Sequence, residues 1–412
     1  MIDFVWWKIM CTFAVMQTNL PQDFVRLMHE HFDTKTAEGL CSALISTDPE
    51  VSIRLNLRKM SVEDVLAFRP EFEQVSWCPG AFYLKDRPAF TFDPLFHAGA
   101  YYVQEASSMY VAEVLKQFVP LDRPLVALDL CAAPGGKSTL LQSIIPDGSL
   151  LVSNEPIAKR SQILSENMQK WTRGLSVGAP NCIVTQNFPA EFGALTGQVD
   201  VLLTDVPCSG EGMFRKDEDA VREWSLENVR MCQQRQRDIL QDIWHVLKPG
   251  GLLIYSTCTF NRFEDEDNTR FICDEMGGFC LLERHFLPGR DRGEGFYVAA
   301  IRKGGNVDES AEKDIQHTAT KVRRTLRVLF DSVSSLQPDA PFVELTYGEA
   351  LQYLRREALR VEAPRGMVTL RYRNLILGQG KCVGSRINNL YPEAWRIRST
   401  YTTPFSILGI EN

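Results

Sequence analysis

The chain has 412 residues, of which 44% are hydrophobic and 24% charged, and a formal net charge of −7. These proportions exclude a collagenous or largely disordered chain, and 11 cysteines over this length are too dilute for a disulfide scaffold. No apolar run reaches the ~18 to 20 residues that span a bilayer, and the dilute, odd-numbered cysteines make a reducing cytoplasm the expected compartment, with no membrane partner.

Met1 to Val15 is apolar, but it opens with Asp3 and carries Lys8 in its middle, whereas a secretory signal places its positive charge first. It reads as an upstream start with Met16 as the true one, and residues 1–19 are expected to carry no function. Residues 20–94 mix helical periods (Asp23 to Phe32, Ser61 to Phe68) with alternating pieces such as Val51 to Leu57, as a small α+β domain would. From Val126 strands alternate with helices. Leu125 to Leu130 leads to a helix from Lys137; Leu150 to Asn154 leads to a helix over Ala158 to Lys170; Ile183 to Gln186 and Val199 to Thr204 follow. A long helical stretch, Asn228 to Leu247, then reaches the strand Leu252 to Ser256. This rhythm predicts a doubly wound α/β sheet over residues 95–303, finished by a hairpin of Phe279 to Glu283 with Gly295 to Ile301.

Residues 304–320 are polar and read as a linker. Residues 321–412 are expected to form a small β-rich module, with a helix over Thr346 to Arg360 and strands within Met367 to Val383. From His317 to Asn412 there are 14 Lys/Arg and 8 Asp/Glu, so the tail is basic although the chain is acidic. An electrostatic footprint is local, and this one suits a polyanion. Tyr391 and Trp395 either stack on unpaired bases or belong to the core. Deleting the tail is expected to weaken RNA binding and leave cofactor binding alone.

The segment Leu128 to Ser138 follows the first strand and opens a helix. Small residues let a ligand approach the backbone there, and the helix start offers unpaired N–H groups. Gly136-Lys137-Ser138 is no phosphate loop, because that motif needs glycine where Cys131 stands. Glu155, at the end of the second strand, is placed to accept hydrogen bonds from ribose hydroxyls. Cys208 and Cys258 each follow a hydrophobic strand. One such cysteine is usually core, but two at adjoining strand ends bring two thiols to one cleft, and a thiolate can add to an electron-poor ring carbon. Met213 to Asp217 is either a phosphate contact or a solvated basic turn.

Cys131 to Ser138, Asp205 to Gly212 and Tyr255 to Thr259 resemble the motifs of the Sun/nucleolar-protein family of RNA cytosine-C5 methyltransferases, and Gly99 to Met109 resembles the segment preceding their catalytic core. The stretch Gly384 to Pro392 is similar to the RNA-binding extension of bacterial members acting on small-subunit (16S) ribosomal RNA. The resemblance implies a class I (Rossmann-like) methyltransferase sheet between an N-terminal RNA-binding domain and a C-terminal RNA-binding module. It implies S-adenosyl-L-methionine as cofactor and RNA as partner; no CxxC or clustered Cys/His spacing suggests a metal, and a monomer is expected although the sequence does not identify the oligomeric state. It also implies that Cys258 attacks C6 of cytosine, Cys208 assists release, Asp205 binds the base edge and Lys137 supports it. Cys131, Ala132, Ala133, Pro134, Gly135, Gly136, Lys137, Glu155, Arg160, Asn187 and Asp205 match cofactor-contacting positions, although Asn187 stands where many relatives have an acid. A tRNA substrate, or a non-catalytic role in ribosome assembly, is the alternative. An amine methyltransferase is disfavoured because Val206-Pro207-Cys208 departs from its motif and leaves Cys258 without a role.

Overall fold

The structure is a computed structural model and describes residues 20–176, 178–305, 314–335, 340–400 and 407–408. The expectation for Met1 to Val15 lies outside the described residues. In chain order the strands are β1 (Val51–Leu55), β2 (Glu73–Gln74), β3 (Ala81–Leu84) and β4 (Tyr101–Val103); β5 (Val126–Asp129), β6 (Leu150–Asn154), β7 (Asn181–Thr185) and β8 (Val199–Asp205); β9 (Leu247–Thr257), β10 (Gly278–Phe286), β11 (Phe296–Lys303) and β12 (Val328–Asp331); and β13 (Phe342–Glu344), β14 (Gly366–Tyr372), β15 (Leu375–Cys382) and β16 (Ile387–Asn389).

Eight strands form the central sheet in the order β10-β11-β9-β8-β5-β6-β7-β12. The pairs β5/β6, β6/β7, β5/β8 and β8/β9 are parallel, and β10, β11 and β12 pair antiparallel. The parallel strands are continuous apolar runs because helices cover both faces. Ala127, Leu151, Val201 and Ile254 feed one core layer, and Leu128, Val152, Leu202 and Leu253 the other. Order reverses at β5, so the ends of β5 and β8 open one crevice.

Two boundaries differ from the expected ones. The N-terminal sheet, ordered β2-β3-β1-β4, takes its last strand from Tyr101–Val103, beyond residue 94. The end of the supposed linker, from Ile315, and the start of the tail belong to the central sheet and the helices that cover it. The helix Ile315–Thr325 buries Ala319 and Val322 in the second core layer, and β12 pairs with β7. The polar Gly304 to Lys313 stretch masked the apolar spacing that follows it.

The tail helix expected over Thr346 to Arg360 is shorter, Tyr347–Leu354. Thr346 and Glu349 form a reciprocal cap at its start. Its end follows from Arg356 turning into the left-handed region and Leu359 bridging to Ile387. The hairpin β14/β15 turns on Arg373 and Asn374, both at positive φ. Among the described residues no helix is long and apolar enough to cross a membrane.

Candidate active site

The β5 loop leaves the strand at Asp129 and re-enters regular structure at the helix Gly136–Ile144. Gly135 makes the turn at φ +117°, a conformation that L side chains rarely adopt. The loop borders a cavity of about 190 Å³ lined by Asp129, Cys131, Ala132, Ala133, Pro134, Gly136, Lys137 and Asp205. Tyr102 to Glu105 and Ser108 supply the opposite wall. That wall and Asp129 are absent from the site residues expected from sequence. Asp129 could have been found as the acid that ends the first strand.

Asp129 has no exposed surface; burial pushes its carboxyl up to about 7, against a hydrogen bond that Ser138 Oγ donates to Oδ2 at 2.7 Å. Its Oδ1 has no hydrogen-bond partner. Lys137 Nζ lies 2.8 Å from Asp205 Oδ2 and 5.0 Å from the centre of the Phe296 ring. Burial opposes the lysine charge, but Asp205 outweighs it and holds the ammonium above its ordinary pKa. Ser256 Oγ, on the neighbouring strand, donates to Asp205 Oδ1 at 2.8 Å, which orients the carboxylate from both sides.

Beyond β8 and β9 the two expected cysteines meet, with Sγ atoms 3.2 Å apart. The hydrogen bond shared with Cys258, with burial added, raises the Cys208 thiol well above the usual range, so Cys208 keeps its proton. Gly212 N donates to the Cys258 carbonyl at 2.8 Å, and a side chain at Gly212 would meet that oxygen at 2.9 Å. Beneath this contact lies a polar layer that the sequence did not suggest. Glu211 accepts from Trp224 Nε1, Phe260 N and Asn261 Nδ2; Glu264 accepts from Ser209 N, Gln236 Nε2 and Asn261 Nδ2. Burial and the neighbouring Glu264 push Glu211 up to about 7.

The remaining expected residues are placed as follows. Glu155 is buried at the end of β6, where Ile157 N donates to it at 3.0 Å. Arg160 joins it to the loop, with Nε 3.5 Å from Glu155 Oε2 and Nη2 donating to the Ala133 carbonyl at 3.0 Å. Asn187 is buried, but its amide is engaged elsewhere: Nδ2 donates to Glu191 and Oδ1 accepts from Arg327 N. None of these three lines the cavity. In the turn at Met213 to Asp217, Phe214 and Arg215 face inward while Met213, Lys216 and Asp217 are exposed. Arg215, with 5% of its side chain exposed, pairs with buried Glu294 at 3.1 Å, because that buried carboxylate needs a counter-charge.

Family models match three parts of the chain: the 16S rRNA methyltransferase RsmB/F model over residues 120–276, the N-terminal domain of 16S rRNA methyltransferase RsmF over 20–106, and the methyltransferase RsmF PUA domain over 340–397. Among curated proteins, the ribosomal RNA small subunit methyltransferase F of Shewanella oneidensis is 32% identical over 347 residues, covering 78% of this chain and 67% of the relative. The same-named protein of Shewanella sp. is 30% identical over 379 residues, covering 85% and 73%. The chain belongs to the RsmB/F family of 16S rRNA methyltransferases.

The first curated RsmF relatives are longer; the chain spans 64% of the Pectobacterium atrosepticum protein, at 33% identity over 70% of this chain, and 59% of the Aeromonas salmonicida one. Among solved structures, a methyltransferase homolog protein from Pyrococcus horikoshii is 25% identical with a TM-score of 0.58, covering 70% of this chain and 100% of that one. NSun6 from the same organism, at 17% identity and TM-score 0.60, shares the fold over 71% of this chain and 100% of its own. Methyltransferases of the RsmB/F type use S-adenosylmethionine.

Proposed function

We propose that the protein methylates C5 of cytosine in RNA, specifically small-subunit ribosomal RNA, through a transient bond between Cys258 and C6. The observation that carries this reading is the contact of two thiols beside the Lys137–Asp205 ion pair. When bound, S-adenosylmethionine supplies a methyl group on a positively charged sulfur. The residues fit it: the loop leaves a cradle of small side chains, and the orphaned Asp129 Oδ1, on a cavity-lining residue, suits an ammonium. Glu155, held at its strand end by Ile157 N and Arg160, suits ribose hydroxyls.

Cytosine C5 is too weak a nucleophile to take a methyl group unaided. Attack by the Cys258 thiolate forms the sulfur–C6 bond and moves the C5=C6 pair into the ring, which activates C5. Asp205, held by Lys137 Nζ and Ser256 Oγ, accepts a hydrogen bond from the N4 amine on the N3/N4 edge. C5 takes the methyl group, the bonding pair staying with the cofactor's sulfur; Cys208, its own proton having passed to solvent, then takes the C5 proton, and the electron pair re-forms the C5=C6 bond and expels Cys258. The thiol contact also orders the steps. While Cys258 is free it shares a hydrogen bond with Cys208 and holds the proton there; once its sulfur is bonded to C6, the largest cause of that raised pKa is gone. Reaching the ring requires an unstacked base.

Cys208→Ala is expected to methylate once and stay bonded to RNA, giving a slow band on a denaturing gel that nuclease collapses. Cys258→Ala is expected to give neither adduct nor product. The reverse pattern would assign the attack to Cys208, and full activity in both variants would remove the covalent route. Methyl transfer to transcripts separates an enzyme from an assembly factor. Bisulfite sequencing of ribosomal and transfer RNA, with and without the gene, separates the two substrates.

A further inference from the structure

One group of polar side chains takes no part in this chemistry. Asp265 is fully buried, and its Oδ1 accepts from Thr257 Oγ1 at 2.5 Å and Thr259 Oγ1 at 3.2 Å, the two threonines that flank Cys258. Its Oδ2 has no hydrogen-bond partner. Glu266 Oε2 and His285 Nδ1 are likewise buried atoms without one. His285 lies on β10, 19 residues after Glu266, and its Nε2 is 3.0 Å from Glu266 Oε1 while its Nδ1 is 3.9 Å from Asp265 Oδ2. One ligand atom can be taken from each residue so that all three lie within 4.8 Å of one another.

Buried polar atoms are nearly always paired, and an exception calls for an ion, a water or a functional role. Here three exceptions lie on adjoining residues, with two of the atoms, Asp265 Oδ2 and His285 Nδ1, 3.9 Å apart. Two carboxylates and one imidazole form the oxygen–nitrogen donor set of a divalent first-row ion. Metal–ligand bonds of about 2.1 Å hold ligand atoms about 3 to 3.5 Å apart, within side-chain rotation of the observed separations. We propose that Asp265, Glu266 and His285 bind one divalent first-row metal ion. Water completes its shell from the side of Glu266, whose side chain is 29% exposed. The ion ties β10 to the start of the helix Glu266–Met276 and, through Asp265, to the strand end that carries Cys258. Its role is structural, since it touches neither thiol.

Mn²⁺ is the appropriate probe, because a softer ion such as Zn²⁺ would also be drawn to the thiols of Cys208 and Cys258. The full chain, stripped with a chelator, is titrated with MnCl₂ by calorimetry and by electron paramagnetic resonance. One equivalent is expected to bind, with pulsed spectra showing coupling to one imidazole nitrogen, and the unfolding temperature should rise with MnCl₂ concentration. His285→Ala should lower Mn²⁺ affinity by at least about tenfold and abolish the nitrogen coupling. Asp265→Asn keeps an acceptor for Thr257 and should weaken binding to a similar degree. A Cys208→Ala, Cys258→Ala double variant should bind Mn²⁺ as the parent does. No Mn²⁺ uptake, or uptake without nitrogen coupling in the parent chain, would overturn the proposal whether or not the variants fold; so would equal affinity in His285→Ala and Asp265→Asn.

Discussion

Asp129 carries a conflict between stability and binding. Its folded pKa of about 7 lies above that of an unfolded aspartate, so its favourable contribution is complete below pH ~4 and is lost as the pH rises through 7. The ligand-free protein should therefore lose stability across that window, by at most ~4 kcal/mol. Asp129→Asn keeps an acceptor for Ser138 and removes the buried charge. Denaturant unfolding at pH 8 should find the variant more stable than the parent, and at pH 4 the two should be close. S-Adenosylhomocysteine, which also carries an ammonium, should bind the parent more tightly as the pH rises through 7 and bind the variant weakly at every pH. Glu155→Ala tests the other end of the cofactor: losing charge-assisted hydrogen bonds should cost ~1 to 3 kcal/mol of affinity by calorimetry. Unchanged affinity in a folded variant would take Glu155 out of the site.

At the scale of elements, the small N-terminal sheet clamps the start of the helix that follows the β5 loop through one side chain. Arg54 on β1 is buried, with Nη2 donating to the Gly136 carbonyl at 3.2 Å and Thr139 Oγ1 at 2.6 Å, and Nε donating to Gln104 Oε1 at 2.9 Å. Its guanidinium also lies 4.7 Å from the centre of the Trp171 ring. Arg54→Met keeps the stem but removes the donor to buried Gln104 Oε1 and two further hydrogen bonds, and should lower stability by about 2 to 4 kcal/mol. It should also weaken S-adenosylhomocysteine binding without any direct contact being lost. Equal affinity in the variant would show that the loop holds its shape unaided.

The strands were readable where local rules decide them. Leu150 to Asn154 is apolar, bounded by turn residues and buried on both faces, and it appears in the structure with those limits. The two cysteines were readable because each follows such a strand. Arg54 was not, since nothing local marks an arginine whose partners lie 82 and 85 positions away. Asp265, Glu266 and His285 escaped for the same reason: a helix start and a hairpin strand bring them together without any periodic spacing.

Across the whole molecule, the tail and the N-terminal sheet share one core. Ile53, Phe82, Leu95 and Tyr101 pack in the same cluster as Leu351, Tyr353, Leu370 and Tyr391. Tyr391 is therefore buried, with His97 Nδ1 3.1 Å from its hydroxyl, and is not free to stack on a base. Trp395 is half-buried, with Lys170 Nζ 5.1 Å from the centre of its ring. This alters what removing the tail should do. Deleting from Lys321 takes several large side chains out of that core, at ~2 to 5 kcal/mol each, against a total stability of ~5 to 15 kcal/mol. The truncated chain should unfold at a much lower temperature and bind S-adenosylhomocysteine poorly, in addition to losing RNA affinity. A truncated chain with the parent's melting point and cofactor affinity would mean that the tail is a separate unit.

The pairing of β12 with β7 has a further consequence for how the chain is made. A strand with an open side presents a row of unpaired N–H and C=O groups that another chain can adopt. β7 is left in that state from the time it forms until Val328–Asp331 arrives, more than a hundred residues later in synthesis. A nascent or prematurely terminated chain that stops before β12 lacks the core that the tail shares with the N-terminal sheet and, in addition, carries an open β-template. For such a chain self-association with its copies is a hazard that comes on top of the lost stability.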